Sequence, residues 1–191
     1  MGAITTPRFD ITPLPLSGLC LVQRKRMGDA RGFLERLFCA EELTRAGWDG
    51  PIAQINHTYT AAAGTLRGMH FQRPPHAEKK LVMCLKGRVF DVAVDTRKGS
   101  PTFLKWHGEI LAPEAANALL IPEGFAHGFQ TLTDDVEMLY CHSAVYAPDH
   151  EGGLHPQDPA INIQWPDELV TLSDRDQGHP FLGDSFEGVA L

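Results

Sequence analysis

Long apolar runs are what this 191-residue sequence lacks. No stretch approaches the ~20 consecutive apolar residues that a membrane-spanning helix requires. The first residues, Met1-Gly-Ala-Ile-Thr-Thr-Pro, carry no basic segment followed by an apolar one, so we expect no secretory signal. The sequence therefore predicts a protein with no membrane partner.

Closely spaced cysteines and an excess of positive charge are also missing. The four cysteines are widely spaced and contain no Cys-x-x-Cys motif, which in a chain of this length predicts reduced thiols and a cytoplasmic location. The formal net charge is −7, whereas duplex nucleic acids are bound by basic surfaces, so we expect no nucleic-acid partner. A small anionic ligand remains compatible with this charge because it needs only a few local cations.

Short β-strands dominate what is present. A hydrophobic content of 43% and the chain length predict one globular domain over residues 1–191. The one convincing helix candidate is short, Ala40–Ala46, and is followed by Gly47. Many short strands separated by turn signals are typical of an all-β sandwich or barrel. The predicted strands of the central region are Ile52–Thr60, Gly64–Gln72, Lys80–Leu85, Arg88–Thr96, Phe103–Leu111, Ala118–Ile121, Gly128–Thr131 and Glu137–Tyr146.

A two-residue hairpin is predicted at Lys86-Gly87. In that hairpin Lys80 and Asp91 would share one face. The other face would be apolar and would need a second sheet or a second subunit to cover it, which favours an oligomer. The apolar residues are Leu81, Met83, Leu85, Phe90, Val92 and Val94.

Ionisable and polar side chains concentrate in Gly64–Leu85. Arg67, His70, Gln72 and Lys80 all fall in predicted strands there. Strands with one buried face rarely carry so many ionisable groups unless that face lines a polar cavity. We therefore expect a cavity that contains one base and two cations.

Ordered motifs along residues 20–176 resemble the dTDP-4-dehydrorhamnose 3,5-epimerase family. The most specific are two blocks that occur in the family's order. They are Gly64-x-Leu66-Arg67-Gly68-x-His70-x-Gln72 and Ile121-Pro-Glu-Gly-Phe-Ala-His127-Gly-Phe129. Further matches are Asp29-x-Arg31-Gly32-x-x-Glu35, Gln54-x-Asn56, Lys80-Leu81-Val82, Gly87-x-Val89-x-Asp91, Gly99-Ser100-Pro101, Tyr140, Tyr146-x-Pro148, Asp158-Pro159 and Trp165-Pro166.

The resemblance implies a cupin-type jelly roll with a few short peripheral helices. It also implies a homodimer, with the N-terminal strands exchanged between subunits. The implied activity is inversion of C3 and C5, or of C3 only, in a dTDP-4-keto-6-deoxyhexose, with no cofactor and no metal.

The same resemblance assigns catalytic roles, and the chemistry suits each residue type. A carbon acid next to a ketone needs a base of near-neutral pKa, which is the role of His70. Lys80 would stabilise the enolate oxygen, and Tyr140 would return a proton from the opposite face. Asp176 would orient His70, although Asp174 lies two residues away and the choice between them stays open.

Other family positions imply binding and support. His127 and Asp91 match a second His–Asp pair, although Asp91 could instead pair with Lys80. The residues assigned to substrate binding are Arg67 for the pyrophosphate, Gln54, Asn56, Gln72 and Tyr146 around the ligand, and Arg31, Phe33 and Glu35 for the base in the neighbouring subunit's site. The other histidines, which are His57, His76, His107, His142, His150, His155 and His179, are expected to be surface or structural residues.

Three departures from the family pattern affect these expectations. Glu78 stands where Gln is common, Ile55 where Asp is common, and Pro156-Gln157 where Trp-Asn is usual. None removes the base, the cation or the acid. They bear on substrate range and on whether one or two carbons are inverted.

Two other functional classes compete with an epimerase. A metal-dependent cupin could use His70, Glu78 and His127 as ligands. Gln72 occupies the position where the usual metal motif has its second histidine, and a metal would be repelled by Lys80. A non-catalytic carbohydrate-binding jelly roll would explain the aromatic residues but not the histidine, lysine and tyrosine together.

Overall fold

The computed structural model describes residues 2–183 and 186–191, which form fifteen strands and two short helices. The strands are β1 Ile4–Thr5, β2 Phe9–Pro13, β3 Cys20–Arg24, β4 Met27–Asp29, β5 Gly32–Leu34, β6 Gln54–Thr60, β7 Thr65–Gln72, β8 Lys80–Lys86, β9 Val89–Asp95, β10 Trp106–Leu111, β11 Asn117–Ile121, β12 Phe125–Thr131, β13 Val136–His142, β14 Glu151–Gly153 and β15 Thr171–Leu172. The helices are α1 Ala40–Leu43 and α2 Asp174–Gln177, and 3₁₀ turns occupy Thr44–Ala46 and Pro148–His150.

Two large sheets form the domain. One has the order β1-β2-β3-β11-β8-β13-β6, and the other has the order β10-β9-β12-β7-β14. Successive strands from β6 to β9 alternate between the two sheets, and the later strands β11 to β13 insert between them. This double Greek-key pattern is that of a jelly roll, so the predicted fold is confirmed.

The predicted hairpin at Lys86-Gly87 is wrong. Strand β8 pairs with β11 and β13, whereas β9 pairs with β10 and β12 in the opposite sheet. Gly87 has a positive φ of 79°, and here that conformation turns the chain from one sheet to the other. Lys80 and Asp91 consequently belong to facing walls rather than to neighbouring strands.

Three apolar clusters account for the burial of both sheets. The first lies between them and includes Val82, Ala93 and Phe129. The second covers the outer face of the seven-stranded sheet, where Leu81 and Met83 pack near Trp48. The third covers the outer face of the other sheet and includes Val92, Val94, Leu154, Ile161 and Ile163.

These clusters correct one inference from the sequence. The apolar faces of β8 and β9 are covered by other segments of the same chain, so they do not require a second subunit. The cover over β8 includes the predicted helix, which is confirmed as α1 with its 3₁₀ extension. It ends at Gly47, whose φ is 102°.

The segment after β3 behaves differently from the rest. Strands β4 and β5 pair only with each other, and all six of their residues are exposed. Strands β1 to β3 extend the sheet of their own chain through the pairing of β3 with β11. Their exchange with a partner subunit stays a prediction. No helix within the described ranges is long and apolar enough to cross a membrane.

Candidate active site

A cavity of about 710 Å³ opens between the two sheets. Most of the residues that the sequence assigned to a site line it, although they come from distant parts of the chain. Those residues are Gln54, Asn56, Arg67, His70, Gln72, Lys80, His127, Tyr140, Tyr146 and Asp176. The predicted polar cavity is therefore present.

His70 and Asp176 form a hydrogen-bonded pair on one wall. Nε2 of His70 lies 2.6 Å from Oδ1 of Asp176, while Oδ2 of the same carboxylate accepts from the backbone N–H of Gly68 at 3.2 Å. Ser173 caps α2 by accepting from the Asp176 N–H at 3.1 Å, which fixes the carboxylate at the helix start. The side chain that bonds His70 is thus Asp176, and Asp174 is exposed.

The contact with His70 favours the ionised form of the Asp176 carboxylate. Burial disfavours the ionised carboxylate of Asp176, but the hydrogen bond and charge of His70 outweigh it and hold the pKa of Asp176 below its ordinary value. Because the Nε2–H of His70 donates to this carboxylate, the lone pair of the imidazole lies on Nδ1. The His70 side chain is 29% exposed, so that nitrogen is accessible from the cavity.

An irregularity in β7 brings Arg67 and His70 to the same wall. His127 pairs with His70, and Phe129 pairs with Arg67, so β7 uses one more residue than β12 between these pairs. At this point a Cβ on Gly68 would lie only 2.5 Å from the Cα of Gly128. Two glycines therefore allow the strands to approach where the bulge re-aims the side chains.

His127 and Asp91 form a second pair deeper in the cavity. Nε2 of His127 lies 2.9 Å and 3.1 Å from the two carboxylate oxygens of Asp91. Asp91 is fully buried, and burial raises its pKa. The structure places Asp91 against His127 and not against Lys80, which decides between the two pairings left open by the sequence.

The opposite wall carries Tyr140 on β13 and Lys80 on β8. Tyr140 packs edge-on against the ring of His127, with ring centroids 6.0 Å apart, and burial raises the pKa of its phenol strongly. The ammonium of Lys80 lies 3.2 Å from Oε1 of Glu78 and donates to the carbonyl oxygen of His70 at 3.4 Å. Lys80 thus bridges the gap between the sheets.

The mouth of the cavity is held by amide side chains. Oε1 of Gln54 accepts from the N–H of Tyr146 at 2.8 Å, and the Tyr146 hydroxyl donates to Glu151. Oε1 of Gln72 accepts from the N–H of Ala147 at 2.6 Å. These two glutamines fix the segment after β13. Arg67 is exposed at the rim, so its guanidinium is accessible to an anion.

Three predicted binding residues lie away from this cavity. Arg31 pairs with Asp29 on the β4–β5 hairpin, and Glu35 pairs with Arg26. Phe33 is 59% exposed. A role for these residues in a neighbouring subunit's site stays a prediction.

Sequence reasoning missed several lining residues. His142, expected to be structural, lies on the cavity side of β13 two residues after Tyr140, and that spacing is the signal that could have found it. Glu78, noted only as a departure, joins His142 there. Glu151 and Arg175 form an ion pair at the rim.

The metal set expected for a cupin enzyme does not assemble, because Glu78 bonds His142 and His127 bonds Asp91. A different group, His70, Asp176 and His179, offers ligand atoms within 4.8 Å of one another. Tetrahedral zinc ligands about 2.1 Å from the ion lie about 3.4 Å apart. The 2.6 Å separation of His70 and Asp176 fits a shared proton better than a shared ion.

The sequence and fold of this chain are similar to those of known proteins. The sequence profile of the family described as dTDP-4-dehydrorhamnose 3,5-epimerase matches residues 13–184. The enzyme of that name from Shigella flexneri is 45% identical over 176 residues, covering 91% of this chain and 97% of the relative.

Two solved structures also match. One is dTDP-6-deoxy-D-glucose-3,5-epimerase from Legionella pneumophila in complex with dTDP-4-keto-L-rhamnose. It has a TM-score of 0.89 at 36% identity and covers 96% of this chain and 98% of its own. The other is a 3'-monoepimerase from Streptomyces bikiniensis in complex with dTDP-quinovose, with a TM-score of 0.83 at 36% identity and coverage of 88% and 86%.

Proposed function

The chain belongs to the dTDP-4-dehydrorhamnose 3,5-epimerase family, and on that premise we propose that it inverts C3 and C5, or C3 only, of a dTDP-4-keto-6-deoxyhexose. It is an isomerase that epimerises a dTDP-linked sugar. The observation that carries the proposed mechanism is the His70–Asp176 pair on one wall of a cavity whose other wall presents Tyr140 and Lys80.

Proton abstraction is assigned to His70. Asp176 holds Nε2–H and leaves the Nδ1 lone pair to accept the proton from C3, next to the C4 ketone. The electrons of the broken C–H bond move into the carbonyl, and the resulting enolate oxygen is negative. The Lys80 ammonium, on the facing wall, stabilises that charge in a largely buried site.

Inversion requires a proton from the opposite side. Tyr140 faces the cavity from the sheet that does not contain His70. Its raised pKa keeps the phenol protonated until a strong base, the enolate carbon, takes the proton. A second cycle at C5 would use the same groups after His70 has released its proton to solvent and Tyr140 has taken one up. The ring of His127, held by Asp91, packs against the Tyr140 ring and fixes its position.

Nucleotide binding is assigned to residues at and beyond the rim. Arg67 offers a planar donor fork to the pyrophosphate. Gln54, Asn56, Gln72 and Tyr146 shape the mouth of the cavity. The hairpin residues Arg31, Phe33 and Glu35 would hold the base in the partner's site, which makes the active unit a homodimer. The cytoplasmic location expected from the unpaired cysteines stays a prediction.

Product stereochemistry tests this proposal. The protein is incubated with dTDP-4-keto-6-deoxyglucose in D₂O, and the sugar is examined by NMR. Deuterium at C3 and C5 with inverted configuration supports the proposal, whereas deuterium at C3 alone restricts the enzyme to one carbon. No deuterium would overturn it. The metal-dependent and carbohydrate-binding alternatives are not favoured by the family membership.

A further inference from the structure

Glu78 lies between Lys80 and His142 on the wall that carries Tyr140. Its Oε1 lies 3.2 Å from the ammonium of Lys80, and its Oε2 lies 2.8 Å from Nδ1 of His142. The side chains of Glu78 and Lys80 are 8% and 9% exposed, and that of His142 is 10% exposed. The proposed mechanism uses neither Glu78 nor His142.

The hydrogen bonds among Asn56, His142 and Glu78 show which atom donates and which accepts at each contact. Nε2 of His142 lies 3.3 Å from Nδ2 of Asn56, and the Asn56 amide N–H donates to it. His142 consequently carries its proton on Nδ1 and donates it to Glu78. Burial disfavours the Glu78 carboxylate, but the hydrogen bond from His142 and the charge of Lys80 outweigh it and hold the pKa of Glu78 below its ordinary value.

We propose that Glu78 is a positioning residue that fixes the Lys80 ammonium against the enolate, and that His142 fixes Glu78. This inference rests on the proposed function, in which Lys80 stabilises the enolate oxygen. The contacts that carry it are the two ends of the Glu78 carboxylate, each bonded to one of these side chains within the cavity.

The chemistry of lysine explains why such a residue is needed. A lysine ammonium is a compact charge with three donors on a flexible four-carbon stem, so its position is not fixed by its own side chain. Glu78 and the carbonyl oxygen of His70 engage two of the donors of Lys80. The third is left for the substrate. Stabilisation of developing charge depends on donors that are already in place.

Removing the carboxylate provides the direct test. Glu78→Ala should slow C3 deuterium incorporation at saturating substrate by about 10- to 100-fold, since misplacement by about 1 Å can cost that much. KM should change little, because Glu78 positions Lys80 rather than binding the nucleotide. Glu78→Gln keeps an oxygen acceptor for Lys80 but turns an N–H toward the Nδ1–H of His142, so its rate should lie between those of the unmodified protein and Glu78→Ala. If Glu78→Ala does not fold, Glu78→Ser carries the same test.

A double-mutant cycle tests whether His142 acts through Glu78 and Glu78 through Lys80. His142→Ala should lower the exchange rate by itself but cause no further loss in the Glu78→Ala background. Likewise, Glu78→Ala should cause no further loss in a Lys80→Met background. Glu109→Ala is a matched control, because Glu109 pairs with His107 at 3.2 Å on β10 and does not line the cavity. Its exchange rate should equal that of the unmodified protein.

Several results would overturn the inference. They are a wild-type exchange rate in Glu78→Ala, an effect on KM alone, or fully additive losses for the Glu78 and His142 substitutions. The proposed function fails in a distinguishable way, since the unmodified protein would then incorporate no deuterium at all.

Discussion

Nε2 of His70 and Oδ1 of Asp176 lie 2.6 Å apart, although 106 residues separate them in the sequence. Strand β7 supplies the imidazole, and the start of the short helix α2 supplies the carboxylate. The link ties the C-terminal segment to β7. It gives the proposed base its orientation, and several predictions depend on it.

His70→Ala should abolish C3 proton exchange while leaving nucleotide binding nearly intact. The substitution removes the base, and a missing catalytic base costs about 10²- to 10⁴-fold in rate. Deuterium incorporation measured by NMR and dTDP binding measured by calorimetry separate the two effects. His57→Ala, at an exposed position on β6, is the control. Exchange that persists near the wild-type rate in His70→Ala would remove this residue from the role of base.

Asp176→Asn should make stability less sensitive to acid. The pKa of Asp176 is depressed in the folded protein, so its ionised form stabilises the fold above the unfolded pKa of about 3.9. That contribution is lost as pH falls through the lower folded value. We expect the free energy of unfolding, measured in urea between about pH 5 and pH 3, to fall less steeply for the variant. Parallel curves for the two proteins would contradict a stabilising contact between Asp176 and His70.

The strands were predictable from the sequence, whereas the pairing between them was only partly so. Short apolar runs and turn residues locate β6 to β13 to within a few residues. The turn at Gly87 has the sequence of a hairpin, yet β8 and β9 separate into different sheets. The choice depends on which long-range partners bury Leu81 and Val92, and local sequence does not contain that information.

The site residues, like the strands, were only partly predictable from the sequence. Arg67, His70 and Lys80 could be singled out because they are ionisable residues in strands. His142 could not be separated from the other histidines, because its role depends on a contact with Glu78 across the fold. The bulge in β7, which turns Arg67 and His70 to one side, likewise has no simple signature beyond Gly68.

Tyr140→Phe should reduce inversion at C5 more than deuterium exchange at C3. The phenol acts after the enolate has formed, so His70 can still remove the C3 proton in the variant. The two rates are compared by NMR in D₂O with the same substrate. Equal loss of both rates would contradict this division between base and acid. The melting temperature of the variant is measured by circular dichroism. A lower value would show that loss of the buried hydroxyl also affects stability.

Treatment with EDTA should leave epimerase activity unchanged. The proposed steps use an imidazole, an ammonium and a phenol, and the short His70–Asp176 separation fits a proton between them. Activity is measured before and after prolonged chelation, and metal content is determined on the same sample. Loss of activity that returns on addition of one divalent metal would favour the cupin metalloenzyme instead.

The β4–β5 hairpin should act in the site of a second subunit. Its apolar residues Met27, Phe33 and Leu34 are all more than half exposed in the single chain, and it lies outside the chain's own cavity. Phe33→Ala should therefore raise KM for the dTDP-sugar while leaving the melting temperature nearly unchanged. If Phe33 served only its own chain, the KM would not depend on which subunits form the dimer.

Mixing two variants that are inactive at a substrate concentration far below their KM tests this directly. One carries His70→Ala with an intact hairpin, and the other carries an intact His70 with Arg31→Ala and Phe33→Ala. After the subunits are exchanged, mixed dimers contain one site with both an intact base and an intact partner hairpin, so activity should reappear. Sedimentation velocity confirms that dimers have formed. Mixed dimers that stay inactive would show that the hairpin does not complete the partner's site.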